Sequence, residues 1–355
     1  MTSLNPVQRR PGMENTPFNQ WYVVAGREEI GRQLLARRML DQPLVLYRTE
    51  DGRPVAFPDY CPHRFMELSK GKLIGNDVQC LYHGMRFGPD GRCSKIPTQT
   101  SIPAALKVRS FPLIEKGLWT WIWMGDAKKA NPELIPDTGY VKEHFSKGFQ
   151  FCFPCRGNFV RLHENLLDTS HPSFLHAGAF DDGDLAESTF KVEWKDQMVR
   201  LVRRSRQPVL PGPGTIRTFN LEPGKRVIRT LVTETHAPCL NTIMNTFEYV
   251  DEPNRPNAIM VNEFPISPGG PKLCYQFWST CTSWPMIFEQ SMSDYFWNVM
   301  KQDDLALQSI EEHLAVHPDA AEVSVKADEG AVRFRRLLAS MAEAERADER
   351  RTVGA

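Results

Sequence analysis

Over the first third of the chain, apolar residues come in short runs broken by turn signals. Trp21-Tyr22-Val23-Val24-Ala25 predicts a first strand. Gln33 to Leu40 has a helical composition but leads directly into Pro43-Leu44-Val45-Leu46-Tyr47, and most of it reads as strand. Asp51-Gly52 predicts a hairpin turn between Leu44–Arg48 and Pro54–Phe57. Pro89-Asp90-Gly91 marks another turn after Met85-Arg86-Phe87. From Leu118 to Met124 the three tryptophans 119, 121 and 123 alternate with Leu118, Thr120, Ile122 and Met124, a strand period of two. Short strands and turns up to Met124 predict an all-β first domain, residues 20–125, after a polar tail, Met1 to Asn19.

Gly125 to Pro136 is polar, holds two prolines and breaks the periodicity, which makes it the best boundary. Beyond it the pattern mixes helix and strand. Phe159 to Ser170 reads as a helix stopped by His171-Pro172. Lys191–Leu201, Arg226–Glu234, Leu240–Val250, Ile259–Phe264 and Leu273–Cys281 read as strands, with a proline-rich loop from Gln207 to Pro213. Ser293–His313 and Glu329–Arg350 read as amphipathic helices. The second domain, 137–355, is therefore α+β, and it carries no glycine-rich phosphate loop.

The charge is balanced, 43 basic against 43 acidic residues, so neither nucleic acid nor an anionic membrane is an expected partner. No apolar run reaches the roughly 18–20 residues of a membrane span, and the first residues lack the apolar core of a signal peptide. A cytoplasmic location is expected. There, eight cysteines in 355 residues point to metal before they point to disulfides.

Four ligand-type residues stand in two short loops, Cys61-Pro62-His63 and Cys80-Leu81-Tyr82-His83. A Rieske 2Fe-2S cluster needs this set, two thiolates on one iron and two imidazoles on the other. Structural zinc also takes two Cys and two His, but usually with each type grouped together. Here each Cys is paired with a His. Cys93 reads as a small buried apolar residue, and Cys152-Phe153-Pro154-Cys155 lacks the βαβ context of a redox C-x-x-C.

On these motifs the chain resembles the α subunits of Rieske non-haem iron oxygenases, nearest the homomeric branch of vanillate O-demethylase, dicamba monooxygenase and phthalate dioxygenase. The resemblance runs from about Trp21 to the last helices. Met85 departs from the Trp that usually follows His-Gly in the family. Respiratory Rieske proteins have two further cysteines where this chain has Met66 and Tyr82, which speaks against that relative. The resemblance implies a helix-grip (START-like) antiparallel sheet with a long C-terminal helix in the second domain.

His171 and His176 lie five apart, about 140° on a continuous helix, too far to share a metal easily. Pro172 forces the chain out of the helix and lets His176 fold back. Two His and one carboxylate make the facial triad of non-haem Fe(II) oxygenases. The carboxylate is expected from Asp303, which shares a helix face with Phe296, Met300, Leu307 and Ile310. Asp304 falls on the polar face and reads as a surface acid; the alternative for Asp303 is burial against an Arg. Asp168, three residues before His171, is placed to accept the N–H of a metal-bound His. The resemblance further implies that Asp168 links His171 to His83 of the next subunit in a head-to-tail trimer. It also matches Asn165 to an Asn near the iron, and Asp303 with Gln308 to the family's spacing of its acidic ligand.

The implied function is a terminal oxygenase that uses O2 and electrons from a flavin- or ferredoxin-type reductase. It would hydroxylate, or O- or N-demethylate, a small aromatic substrate. The alternatives are a Rieske electron carrier without an oxygen site and a zinc-stabilised ligand-binding module. Phe264, Phe277, Trp278, Trp284 and Phe288 are candidate pocket aromatics, each equally readable as core. Arg200, Arg203, Arg204 and Arg206 offer a carboxylate site or, more simply, a solvated strand edge.

Overall fold

A computed structural model describes residues 12–137, 145–180, 184–285 and 290–353. The chain divides into two compact units. The first holds residues 1–135, and the short segments 267–271 and 344–355 cluster with it. The second holds 136–266 and 272–343. A simple break near 125–137 therefore misses two returns of the chain to the first unit.

The first unit is built of short strands: β1 (Trp21–Gly26), β2 (Leu35–Met39), β3 (Gln42–Arg48), β4 (Pro54–Pro58), β5 (Lys72–Ile74), β6 (Asp77–Gln79), β7 (Arg86–Phe87), β8 (Cys93–Lys95), β9 (Leu113–Lys116) and β10 (Trp119–Trp123). They form sheets ordered β1-β10-β9, β2-β3-β4 and β5-β6-β7-β8. The Asp51-Gly52 hairpin joins β3 to β4 as its turn chemistry requires, with Gly52 at positive φ. The alternation in β10 does not expose a face, because all five residues are buried. Residues 12–19 are no loose tail. Met13 and Phe18 are buried, and the Tyr22 hydroxyl donates to the Pro17 carbonyl. Cys61 and Cys80 belong to a core with Tyr47, Phe57, Leu68, Val78 and Phe87.

The second unit centres on a seven-stranded sheet. Its strands are β11 (Ser146–Cys155), β12 (Thr189–Lys195), β13 (Met198–Arg204), β14 (Val227–His236), β15 (Leu240–Tyr249), β16 (Ala258–Gly270) and β17 (Leu273–Thr282), in the order β11-β17-β16-β15-β14-β13-β12. The helices are α1 (Phe159–Leu167), α2 (Asp184–Glu187), α3 (Pro213–Phe219), α4 (Gln290–Val316) and α5 (Glu329–Val353). Phe159, Leu162 and Leu166 of α1, Phe296, Met300 and Leu307 of α4, and Phe334 and Leu338 of α5 share one core with Phe153, Phe264 and Trp278 of the sheet. Fold class and the long C-terminal helix agree with expectation. Lys191–Leu201 is not one strand: Asp196, at φ 50°, turns the chain between β12 and β13 without any glycine signal. No helix among the described residues is long and apolar enough to cross a membrane.

Candidate functional site

The two Cys/His loops of the first unit share one backbone plan. In each, the cysteine N–H donates to the carbonyl five residues on, Cys61 to Met66 and Cys80 to Met85, both at 2.8 Å. In each, the residue four on donates back to the cysteine carbonyl: Phe65 to Cys61 at 2.8 Å and Gly84 to Cys80 at 3.1 Å. That residue has positive φ in both loops, 57° at Phe65 and 69° at Gly84. Glycine tolerates this without cost; Phe65 is held there by the loop. The plan buries both thiols and turns both imidazoles outward, with the two Nδ1 atoms 3.2 Å apart. Burial pushes the Cys61 thiol up to about 11, with Cys80 close enough to add to the effect. Two convergent imidazole nitrogens beside two neighbouring thiols are the donor set of a Rieske cluster, so the residues present fit that group. Cys93 is buried in the same core, its thiol against the Lys95 carbonyl at 3.5 Å.

In the second unit, α1 begins at Asn158, whose side chain accepts from the Val160 N–H at 2.9 Å. The helix stops at Leu167, earlier than its pattern predicts, because Asp168 is extended. A 3-10 turn, His171–Ser173, then redirects the chain, and His176 returns beside His171. His171, His176 and Asp303 of α4 bring one ligand atom each to within 4.8 Å of one another. His176 Nε2 lies 3.1 Å and His171 Nε2 3.8 Å from Asp303 Oδ1. The Asn165 amide also donates to that oxygen, at 3.0 Å. Asp303 is almost fully buried with no Arg or Lys paired to it among the described residues, which fits a metal-binding carboxylate better than a structural ion pair.

The outer nitrogens of both histidines are engaged. His176 Nδ1–H donates to Gln302 Oε1 at 2.7 Å, and His171 Nδ1–H to the Asp168 carbonyl at 2.6 Å. Each contact fixes the tautomer that turns the Nε2 lone pair inward. Burial lowers the His171 pKa, but Asp168 and Asp303 more than offset this and leave it raised. The nearest acceptor for His171 is the Asp168 backbone, while Oδ2 stands 3.8 Å away. Oδ1 takes the Ser170 N–H at 2.9 Å and hydroxyl at 2.6 Å. Burial raises this carboxyl, but His171 and Ser170 outweigh it and hold it down at about 2.

Asp304 is no surface acid. It is 4% exposed; Oδ1 takes the Arg156 N–H at 2.7 Å, Oδ2 the Arg156 guanidinium at 2.7 Å and the Gln308 amide at 3.0 Å. The end of β11 covers this helix face, which helical phase alone does not reveal. Gln308 accordingly serves Asp304 rather than Asp303.

A cavity of about 700 Å³, its open mouth included, reaches the triad. Phe264 and Trp278 line it as expected, together with Phe180, Phe219 and Phe296, which lie far apart in sequence and carry no local signal. Phe277 faces away, Trp284 packs on the Phe219–Phe247 cluster, and Phe288 lies outside the described residues. None of the four candidate arginines lines the cavity. Arg203 is buried and ties Thr169, at 2.6 Å, to the Leu185 carbonyl, at 2.8 Å, so it braces the ligand-bearing loop. Arg204 pairs with Glu248 at the surface, and Arg200 lies 3.9 Å from Glu234. Cys152 and Cys155 are an odd number of residues apart on β11 and so point to opposite faces, which excludes a C-x-x-C dithiol.

A model of the Rieske 2Fe-2S domain matches residues 20–112, and one of the vanillate O-demethylase oxygenase C-terminal domain matches residues 155–344. The oxygenase component of dicamba O-demethylase from Stenotrophomonas maltophilia is 42% identical over 161 residues, 44% of this chain and 47% of that protein. Such matches span about half the length of the curated relatives. The crystal structure of dicamba monooxygenase bound to 3,6-dichlorosalicylic acid superposes with a TM-score of 0.85 at 26% identity, covering 93% of this chain and 98% of that one. The structure of dicamba monooxygenase with non-haem iron and dicamba gives 0.76 at 26% identity, covering 93% and 98%.

Proposed function

The chain belongs to the family that couples a Rieske 2Fe-2S domain to the vanillate O-demethylase oxygenase C-terminal domain, and on that premise we propose that it is a terminal oxygenase acting on a small aromatic substrate. The observation that carries this reading is the His171–His176–Asp303 triad, with His176 and Asp303 buried and His171 half-buried, opening on an aromatic-lined cavity. An electron carrier needs no such site. Cys61, Cys80, His63 and His83 would hold the cluster; His171, His176 and Asp303, which line the cavity, would hold ferrous iron. When bound, these groups supply single electrons and oxygen activation; hydroxylation of an O- or N-methyl carbon then yields demethylation.

The protein's own part is to orient the ligands and the substrate. Gln302 and the Asp168 carbonyl hold the two imidazoles in one tautomer, and Asn165 holds Asp303. Phe180, Phe264, Trp278 and Phe296 offer an apolar wall against which an aromatic ring packs.

Electrons come from a separate flavin- or ferredoxin-type reductase. Three copies form a head-to-tail ring in which His83 of one chain approaches Asp168 of the next. The Asp168 side chain supports this: it is part-exposed, Ser170 occupies only Oδ1, and Oδ2 stands 3.8 Å from His171 Nδ1. Phe65, Leu81 and Tyr82 stand exposed around His63 and His83, and Phe174 stands exposed beside His171, as docking faces would. Eight free cysteines suit the cytoplasm. Oxygen uptake and product formation, scored with a surrogate reductase against a panel of methoxylated aromatics, test the reading. Asp303→Asn protein should show neither while keeping its cluster; equal uptake by the variant would overturn it.

A further inference from the structure

Two asparagines of the cavity wall have a fixed orientation. Asn245 on β15 and Asn262 on β16 both line the cavity, and both are almost fully buried. Asn245 pairs with Met260 and Asn262 with Ile243, so the two asparagines are diagonal neighbours on one sheet face, roughly 7 Å apart.

Each amide has only one possible orientation. Asn245 Oδ1 accepts from Arg229 Nε at 3.0 Å and from a terminal guanidinium nitrogen at 2.7 Å. Asn262 Oδ1 accepts from the Trp278 indole N–H at 3.1 Å and the Thr280 hydroxyl at 2.7 Å. Guanidinium and indole N–H groups can only donate, so the atom facing them is the amide oxygen in both cases. The two NH2 groups are thereby held away from these partners, and neither has an acceptor among the described residues. Both residues line the cavity, so a ligand that accepts from these N–H groups replaces water there with a directed partner.

We infer that Asn245 and Asn262 form a two-donor subsite that selects substrates carrying an acceptor-only oxygen group, a carboxylate or a ring-attached carbonyl, on the aromatic ring. This inference rests on the proposed function for the identity of the cavity. It goes beyond it in naming the residues that set specificity. The Arg229 contact polarises the Asn245 amide and makes its N–H the stronger donor.

The test is calorimetric titration of the metal-loaded protein with 3-methoxybenzoate, 3-methoxyacetophenone and anisole. At least one acceptor-bearing probe should bind about tenfold or more tightly than anisole, as expected when buried donors gain a partner. Preference for the carboxylate identifies an anionic substrate, and preference for the ketone a neutral one. Asn262→Asp keeps an oxygen facing Trp278 and Thr280 but replaces the donor with an acceptor. It should lose about tenfold or more in affinity for the acceptor probes and leave anisole within about threefold. Asn245→Asp, which keeps an oxygen toward Arg229, should act in the same direction. No preference for the acceptor probes in the wild type, no binding of either, or an Asn262→Asp protein that keeps the preference, overturns the inference. Binding is read without electrons or turnover. An inactive protein that shows this pattern would therefore refute the oxygenase reading and leave the subsite standing.

Discussion

His163 sits on the buried face of α1, two residues from Asn165, and is fully enclosed. Its ring meets Phe159 edge-on at 6.0 Å and Phe334 at 4.5 Å. Neither ring nitrogen has a hydrogen-bond partner of good geometry among the described residues. Burial pulls the imidazole from its ordinary 6.5 down to about 3, and the nearby Ile266 and Pro238 carbonyls offset only part of this. The folded protein therefore keeps His163 neutral, while the unfolded chain takes up a proton below pH 6.5. The unfolded state binds more protons in this window, so this contribution to stability is complete above 6.5 and declines as the pH falls toward 3. The slope is about 1.4 kcal/mol per pH unit, or about 2 kcal/mol lost by pH 5. His163→Leu removes the titrating group and keeps an apolar filler. Urea unfolding followed by tryptophan fluorescence at pH 8 and pH 5 isolates the effect, because other titrating groups are common to both proteins. With a urea dependence of about 2–3 kcal/mol per molar, the wild-type midpoint should fall by roughly 0.7–1 M more than that of the variant. Parallel falls would show that His163 charges in the folded state, and the argument from its enclosure would fail.

Gln302→Leu should weaken iron binding about tenfold to a hundredfold while leaving the cluster absorbance unchanged, measured by competition with a chelator. Asp304→Asn should lower the urea midpoint, because the buried carboxylate takes the Arg156 backbone N–H and the Gln308 amide as well as the largely exposed Arg156 guanidinium; a wild-type midpoint would show that the pair is idle. A Cβ on Gly214 would stand 1.8 Å from the Gly178 carbonyl, in the loop that follows His176. Gly214→Ala should therefore release iron without bleaching the cluster, which metal analysis would reveal. Asp168→Asn should keep both metal centres yet lose most turnover, with the cluster remaining reduced in single-turnover experiments in the presence of substrate and oxygen; normal turnover would exclude the bridging role.

What the sequence revealed and what it hid follow from the range of the contacts. Cys61, His63, Cys80 and His83 were legible because two short loops carry the whole set, and spacing within a loop is local. Asp303 was legible because a carboxylate interrupts an apolar helical stripe. The same helix wheel misassigned Asp304, since what covers that face is Arg156, distant in sequence. Asp168 was found as a neighbour of His171, but spacing could not tell that its backbone would make the close contact. Gln302 gave no signal beyond standing next to Asp303. Arg229, Asn245, Phe180 and Phe219 reach the cavity only through sheet register and long loops, to which hydrophobic periodicity is blind.

The central claim is that one chain holds a Rieske cluster and a separate ferrous site built on His171, His176 and Asp303. Low-temperature EPR of the dithionite-reduced protein, with and without nitric oxide, tests it directly on wild type and Asp303→Asn. The wild type should show the reduced-cluster signal and, with nitric oxide, a second high-spin ferrous-nitrosyl signal. The variant should keep the first and lose the second. A nitrosyl signal of full intensity in the variant, or a colourless protein containing zinc and no cluster signal, would contradict the account.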